Sequence, residues 1–217
     1  MARGRVIVLE GPEGVGKSTQ HRLLADHLAA HGHEVVALRE PGGTPVGDVI
    51  RRLLLDPASD IVPGAEALLY MASRAQLVES AIVPALGRGA TVLLDRFFLA
   101  TYAYQGAGRG IPAEALAAVN GMATGGLVPD LTLLLTLPVK EGLARAARRG
   151  GHDRMERVEI AFHERVADAF ATFAQPTWQA GHPECGPIVL VDASGTETEV
   201  LERLLGTLRS RWPESFA

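Results

Sequence analysis

The chain has 217 residues, 47% hydrophobic and 21% charged, with a formal net charge of −4, which is ordinary usage for a globular domain. The slight acidity gives no general attraction to nucleic acid or to an anionic membrane, so any anion must be held by a local cluster. No apolar run approaches the ~18 residues of a membrane helix, and Cys185, the only cysteine, excludes an internal disulfide and fits a reducing cytoplasm.

Residues 5–10 (RVIVLE) are a short β-branched run that stops at glycine, the pattern of a buried strand. From 17 to 31, Leu23, Leu24 and Leu28 recur at helical spacing, and Gly32 supplies the stop. Residues 34–38 read as a second strand. The stretch 63–86 reads as one long helix, with Leu68, Leu69, Ala72, Ala75 and Leu77 on its apolar face. A third strand covers 90–94 and ends at Asp95. Helices are expected over 111–125, 139–149, 156–175 and 197–211, and further strands over 131–137 and 187–191. Apolar strands alternating with helices predict an α/β domain over 1–217: a five-stranded parallel sheet with helices on both faces. Right-handed crossovers then put ligands beyond the carboxyl ends of the strands.

One such end carries a clear motif. Gly11-Pro12-Glu13-Gly14-Val15-Gly16-Lys17-Ser18 matches G-x-x-x-x-G-K-[ST] between an expected strand and an expected helix, with Thr19 next in the helix. The glycines let backbone N–H groups curl around phosphate, and the helix N-terminus adds a positive dipole end. Lys17 would reach the β- and γ-phosphates of ATP, and the Ser18 hydroxyl would ligate Mg²⁺. A GTP switch would carry an Asn-Lys-x-Asp guanine reader. Lys140, the only other lysine, stands in Pro138-Val139-Lys140-Glu141, which does not fit. The chain is also short for a motor, so a small-molecule kinase fits best.

A kinase needs a second anionic site opposite the cradle. Asp95 and Arg96 follow the third strand, where the acid can hold Mg²⁺ through water and the arginine can clamp a phosphate. Residues 39–44 (REPGGT) follow the second strand. Arg39 can grip phosphate bidentately, Gly42 and Gly43 permit the turn, and Glu40 can orient an arginine.

Residues 11–18, 38–44, 73–79 (SRAQLVE), 95–97 (DRF), 101–110 (TYAYQGAGRG) and 129–135 (PDLTLLL) together resemble bacterial thymidylate kinases, in the same order. The resemblance implies a nucleoside monophosphate kinase-like P-loop fold, transfer of the ATP γ-phosphoryl group to dTMP, and a homodimer. It assigns Arg39 and Arg96 to the dTMP phosphate, with Arg51 assisting. Tyr70 would stack on thymine, Arg74 would bond its carbonyl edge, and Thr101 and Gln105 would face the base. Tyr104 would pack where a ribose 2′-OH would point, and Glu13 would lie near the 3′-OH. Phe97 stands where the family often has tyrosine or histidine, and Tyr70 where phenylalanine is usual.

Arg145, Arg148, Arg149, Arg154 and Arg157 crowd a segment broken by Gly150-Gly151, as a hinged lid over about 145–157 would be. In bacterial members of the family the lid supplies the catalytic arginine. Arg149 or Arg154 would fill that role here, held by Asp153 and Glu156. No histidine base is required, because a phosphate oxygen is already largely ionised at neutral pH. Two other readings make different predictions. A kinase for another monophosphate or deoxynucleoside would differ in acceptor preference. A nucleotide-binding regulator would bind ATP without turnover, and would leave the acceptor-side arginines unexplained.

Overall fold

Alternate residues of the first strand serve two cores. In β1 (Arg5–Glu10), Val6 and Val8 join one apolar cluster while Ile7 and Leu9 join the other, because successive side chains of a strand point to opposite faces. The computed structural model describes residues 3–147, 154–155 and 158–216. After β1 come α1 (Lys17–Ala30), β2 (Val35–Arg39), α2 (Pro45–Leu55) and α3 (Pro63–Leu77). A π-helical turn, Val78–Ile82, links α3 to α4 (Val83–Gly87), and β3 (Thr91–Asp95) leads to α5 (Phe98–Thr101). A second π-helical segment, Tyr102–Gly108, precedes α6 (Ala113–Thr124), β4 (Leu131–Thr136) and α7 (Val139–Ala147). The chain ends with α8 (Ile160–Phe173), α9 (Pro176–Gly181), β5 (Ile188–Asp192) and α10 (Glu197–Arg211).

The sheet has five parallel strands in the order β2-β3-β1-β4-β5. Leu24 and Leu28 of α1 and Leu204, Leu205 and Leu208 of α10 cover one face; Leu77, Ile82, Phe162 and Phe170 cover the other. Full burial of such side chains contributes about 1.5–3 kcal/mol each. Strand order reverses at β1, so the segment after Glu10 opens into the crevice where α/β sheets bind ligands.

The expected strands and most expected helices are present within a residue or two. Helix α2 is an element the sequence reading does not include. Thr44 caps it by accepting from the Gly47 N–H. Leu54 is fully buried and Leu55 packs on the core, but Val46, Val49 and Leu53 are exposed, so only part of its apolar surface faces the core. The single helix expected over 63–86 is interrupted. Pro84 cannot donate a backbone hydrogen bond, and the ladder widens into the π-turn just before it.

Candidate functional site

The cradle is shaped by what lies beneath it. Gly14 adopts φ 75°, and a Cβ there would collide with the Gly142 carbonyl of α7; one at Gly11 would strike the Leu135 carbonyl of β4. Only glycine lets the loop pass between those backbones. Helix α1 begins without a side-chain cap and without an acid in its first turn, which leaves its first N–H groups for an anion. Gly16 ends the loop, Val15 is buried under it, and Pro12 and Thr19 are half-buried at its two ends. Lys17 Nζ donates to the carbonyls of Gly11 and Pro12 at 2.8 and 2.7 Å. Burial, followed by the Arg96 charge, pushes its ammonium down to about 8, against the pull of Glu13, Asp95 and Glu10. Ser18 Oγ donates to Asp95 Oδ2 at 2.8 Å. These two oxygens meet at the cradle mouth and are hard donors of the kind Mg²⁺ takes. Among the described residues no three His, Cys, Asp or Glu side chains could hold an ion by themselves, so a cation here needs nucleotide oxygens and water.

Arg96 takes a left-handed backbone, φ 73°, which a non-glycine residue adopts only when its surroundings hold it there. Its Nη2 donates to Glu13 Oε1 at 2.8 Å and to the Tyr104 hydroxyl at 3.1 Å. Tyr104 donates to the same Glu13 oxygen at 2.6 Å, beneath the Arg96 guanidinium. Burial, and then Glu13, hold the Tyr104 phenol well above its usual range despite Arg96, so it stays a donor. Glu10 ends β1 beneath this group. Its Oε1 accepts from the N–H groups of Phe97 at 2.7 Å and Ala100 at 3.0 Å, which fixes the turn that aims Arg96. Burial raises its carboxyl above the ordinary range, against Arg96. Sequence reasoning missed Glu10, although an acid closing an apolar strand beside the cradle was a signal.

On the wall opposite the cradle, Arg39 is exposed at the end of β2 and lines the cleft. Arg51 Nη1 donates to the Pro41 carbonyl at 2.9 Å, and Tyr70 lines the same wall. The arginine that Glu40 orients is Arg74. Nε and Nη2 of Arg74 reach Glu40 Oε2 at 2.8 and 2.6 Å. Its Nη2 also donates to the Phe97 carbonyl at 2.8 Å, and Nη1 to Thr101 Oγ1 at 3.0 Å and to Asn120 Oδ1. All five N–H groups of a guanidinium are thus engaged inside the protein. Arg74 lines the pocket wall, and a bond from it to a base carbonyl would exchange one of these partners. Burial lifts the Glu40 carboxyl above its ordinary range, against Arg74.

Arg154 docks against α2 and α3. Its Nε donates to the Leu54 carbonyl at 2.7 Å and its Nη2 to Glu66 Oε2 at 2.6 Å. Glu66, fully buried in α3, also accepts from Arg109 and Gln105. Nothing local marked Glu66, since an acid in the first turn of a helix is commonplace. Arg149, Asp153 and Glu156 lie outside the described residues, as does most of the lid expected over 145–157.

A glycine cradle at the topological switch point, a lysine within it and an opposing wall of arginines define a P-loop phosphotransferase with two nucleotide sites. The sequence family described as Thymidylate kinase matches residues 9–181. The thymidylate kinase of Deinococcus radiodurans is 46% identical over 211 residues, covering 97% of this chain and 99% of the relative. That of Pseudomonas putida is 53% identical over 173 residues, covering 79% and 82%. That of Carboxydothermus hydrogenoformans is 47% identical over 173 residues, covering 80% and 85%. The chain belongs to the thymidylate kinase family, whose reaction passes a phosphoryl group from ATP to dTMP and yields dTDP.

Proposed function

We propose that this chain transfers the ATP γ-phosphoryl group to dTMP, with the cradle holding the donor and the Arg39–Arg96 rim holding the acceptor phosphate. One observation carries the reading: cationic side chains from β2, the β3 turn and the cradle, Arg39, Arg96 and Lys17, line a single cleft. The acceptor oxygen is already ionised, so the chemistry is approach and charge neutralisation rather than proton transfer. Lys17 neutralises the β- and γ-phosphates, and Arg39 and Arg96, with Arg51, receive the dTMP phosphate. Ser18 and Asp95 would hold Mg²⁺, which when bound neutralises charge between the phosphates. Tyr70 stacks on the base, Arg74, Thr101 and Gln105 surround it, and Tyr104 closes the sugar side while holding Glu13. In this reading the chain is a single kinase domain over 1–217 with a lid at about 145–157. Arg149 or Arg154 would supply the lid's transition-state charge, worth about 10³–10⁵ in rate.

Arg39→Ala should raise KM for dTMP at least about tenfold, the loss of one charged hydrogen-bonding partner, while KM for ATP stays within about twofold. A coupled ADP-release assay with dTMP, dCMP and dGMP reads both quantities. Turnover that is fastest on another monophosphate, or an Arg39→Ala enzyme with unchanged dTMP kinetics, would overturn the acceptor assignment.

A homodimer is part of the same reading. Val49 and Leu53 of α2, Leu68 of α3 and Met122 of α6 are exposed on helices that pack side by side, and an apolar face of this kind marks an interface. Leu68→Glu should shift the chain from dimer to monomer in light scattering after size exclusion. A wild-type monomer at micromolar concentration would refute it. Among the described residues no helix is long and apolar enough to cross a membrane.

A further inference from the structure

The polar lining of the acceptor pocket has a direction. Gln105 Nε2 donates to Glu66 Oε1 at 3.0 Å, and an ionised carboxylate offers only acceptors. Glu66 also accepts from Arg109 Nε and Nη2 at 3.2 and 3.0 Å and from Arg154 Nη2 at 2.6 Å. Burial opposes its charge, but the bonds from Arg109, Gln105 and Arg154 hold its carboxyl below the ordinary range. The Gln105 amide is therefore not free to turn over. Its Nε2 faces α3, and among the described residues no donor meets its Oε1. Gln105 is buried and lines the cleft.

A neighbouring group is fixed in the opposite sense. Thr101 Oγ1 accepts from Arg74 Nη1 at 3.0 Å, and Arg74 is itself immobilised by Glu40, Phe97 and Asn120. With that lone pair engaged, the threonine hydroxyl keeps its own hydrogen for a ligand. Thr101 and Gln105 lie four residues apart across the π-helical segment, and both line the cleft. Together they offer one donor and one acceptor.

We propose that Glu66 is a positioning residue that fixes which end of the Gln105 amide faces the cleft, so that the pocket reads a base edge bearing an N–H beside a carbonyl. Thymine presents that order at N3 and O4. The cytosine edge is inverted, with an unprotonated N3 beside an amino group, so donor would meet donor and acceptor would meet acceptor. Such a mismatch strands buried polar groups, the situation in which sites discriminate most strongly. The assignment rests on the acceptor-pocket reading above. It adds that base choice is enforced by a charge that never touches the substrate.

The test compares kcat/KM for dTMP and 5-methyl-dCMP, near-isosteric substrates that differ only along this edge, at saturating ATP. In Glu66→Gln, residue 66 can donate as well as accept, and the Gln105 amide can take either orientation. The dTMP preference of the wild-type enzyme should then fall at least about tenfold. Because both substrates are measured on one enzyme, general damage to the fold cancels from the ratio. If the single variant does not fold, Glu66→Gln with Arg109→Gln removes a cation together with the anion and gives the same readout. An unchanged ratio in Glu66→Gln, alongside a collapsed ratio in Gln105→Leu, overturns the role of Glu66 and leaves the pocket reading standing. A ratio unchanged in both variants overturns both.

Discussion

Lys17→Met should lower kcat/KM by about 10²–10³, the usual loss when one preorganised electrostatic contact to a transition state is removed, without lowering the melting temperature of the free protein. The two halves of this expectation share a cause. Lys17 is 7% exposed, and burial with the nearby Arg96 charge pushes its ammonium down to about 8. Its folded value lies below its unfolded one, so folding disfavours the charged form at neutral pH. That penalty fades as pH rises from about 8 toward the unfolded value. Methionine of similar shape carries no such penalty. A bound triphosphate favours the charged lysine, so ATP affinity should hold up to about pH 8 and weaken above it. Binding near pH 8 should take up a proton, visible as a buffer-dependent binding enthalpy in calorimetry. Both pH effects should vanish in Lys17→Met. A wild-type affinity that is flat between pH 7 and 9.5 would remove Lys17 from the phosphate site.

The second large effect concerns stability. Glu40→Leu should destabilise the fold by about 3–5 kcal/mol, the cost of leaving a buried charge without its partner. Arg74 and Glu40 are 2% and 5% exposed and meet at 2.6 Å, so water cannot replace the lost carboxylate. The double variant Glu40→Leu with Arg74→Met should recover most of that loss, because an apolar pair of similar volume has no charge to strand. Activity should not recover with it, since Thr101 then loses the donor that orients its hydroxyl. Urea unfolding of the wild type, both single variants and the double variant gives the coupling directly. Additive losses would mean that the two side chains do not stabilise each other.

Much of this architecture could be read along the chain, because its signals are contiguous. The run 5–10 carries its own strand pattern, and the glycines, Lys17 and Ser18 of the cradle follow within eight residues. A strand followed by a glycine loop needs no distant partner to be recognised. Arg39, Asp95 and Arg96 could be placed at the rim because Arg39 and Asp95 end strands and Arg96 directly follows one, and the carboxyl ends of a parallel sheet's strands share one edge. Helix α2 shows where that kind of reading stops. Its start carries the local signals, Thr44 and Pro45, yet Val46, Val49 and Leu53 look outward while Leu54 is buried, so its apolar residues do not form one core-facing stripe.

The partners of the buried charges were decided by tertiary structure alone. Glu10 bonds residues 87 and 90 positions away, Glu66 bonds Gln105 across 39, and Arg74 bonds Asn120 across 46. An acidic residue in a sequence reads the same whether it is solvated on a helix or sealed under an arginine. Only packing removes the water and makes its few remaining partners obligatory. The sequence by itself determined the shape of the glycine loop and the uncapped helix start behind it, since such backbone geometry depends on local conformation. Which base edge the opposite wall accepts depends on the orientation of two side chains, and carboxylates brought from distant helix and strand ends impose that orientation.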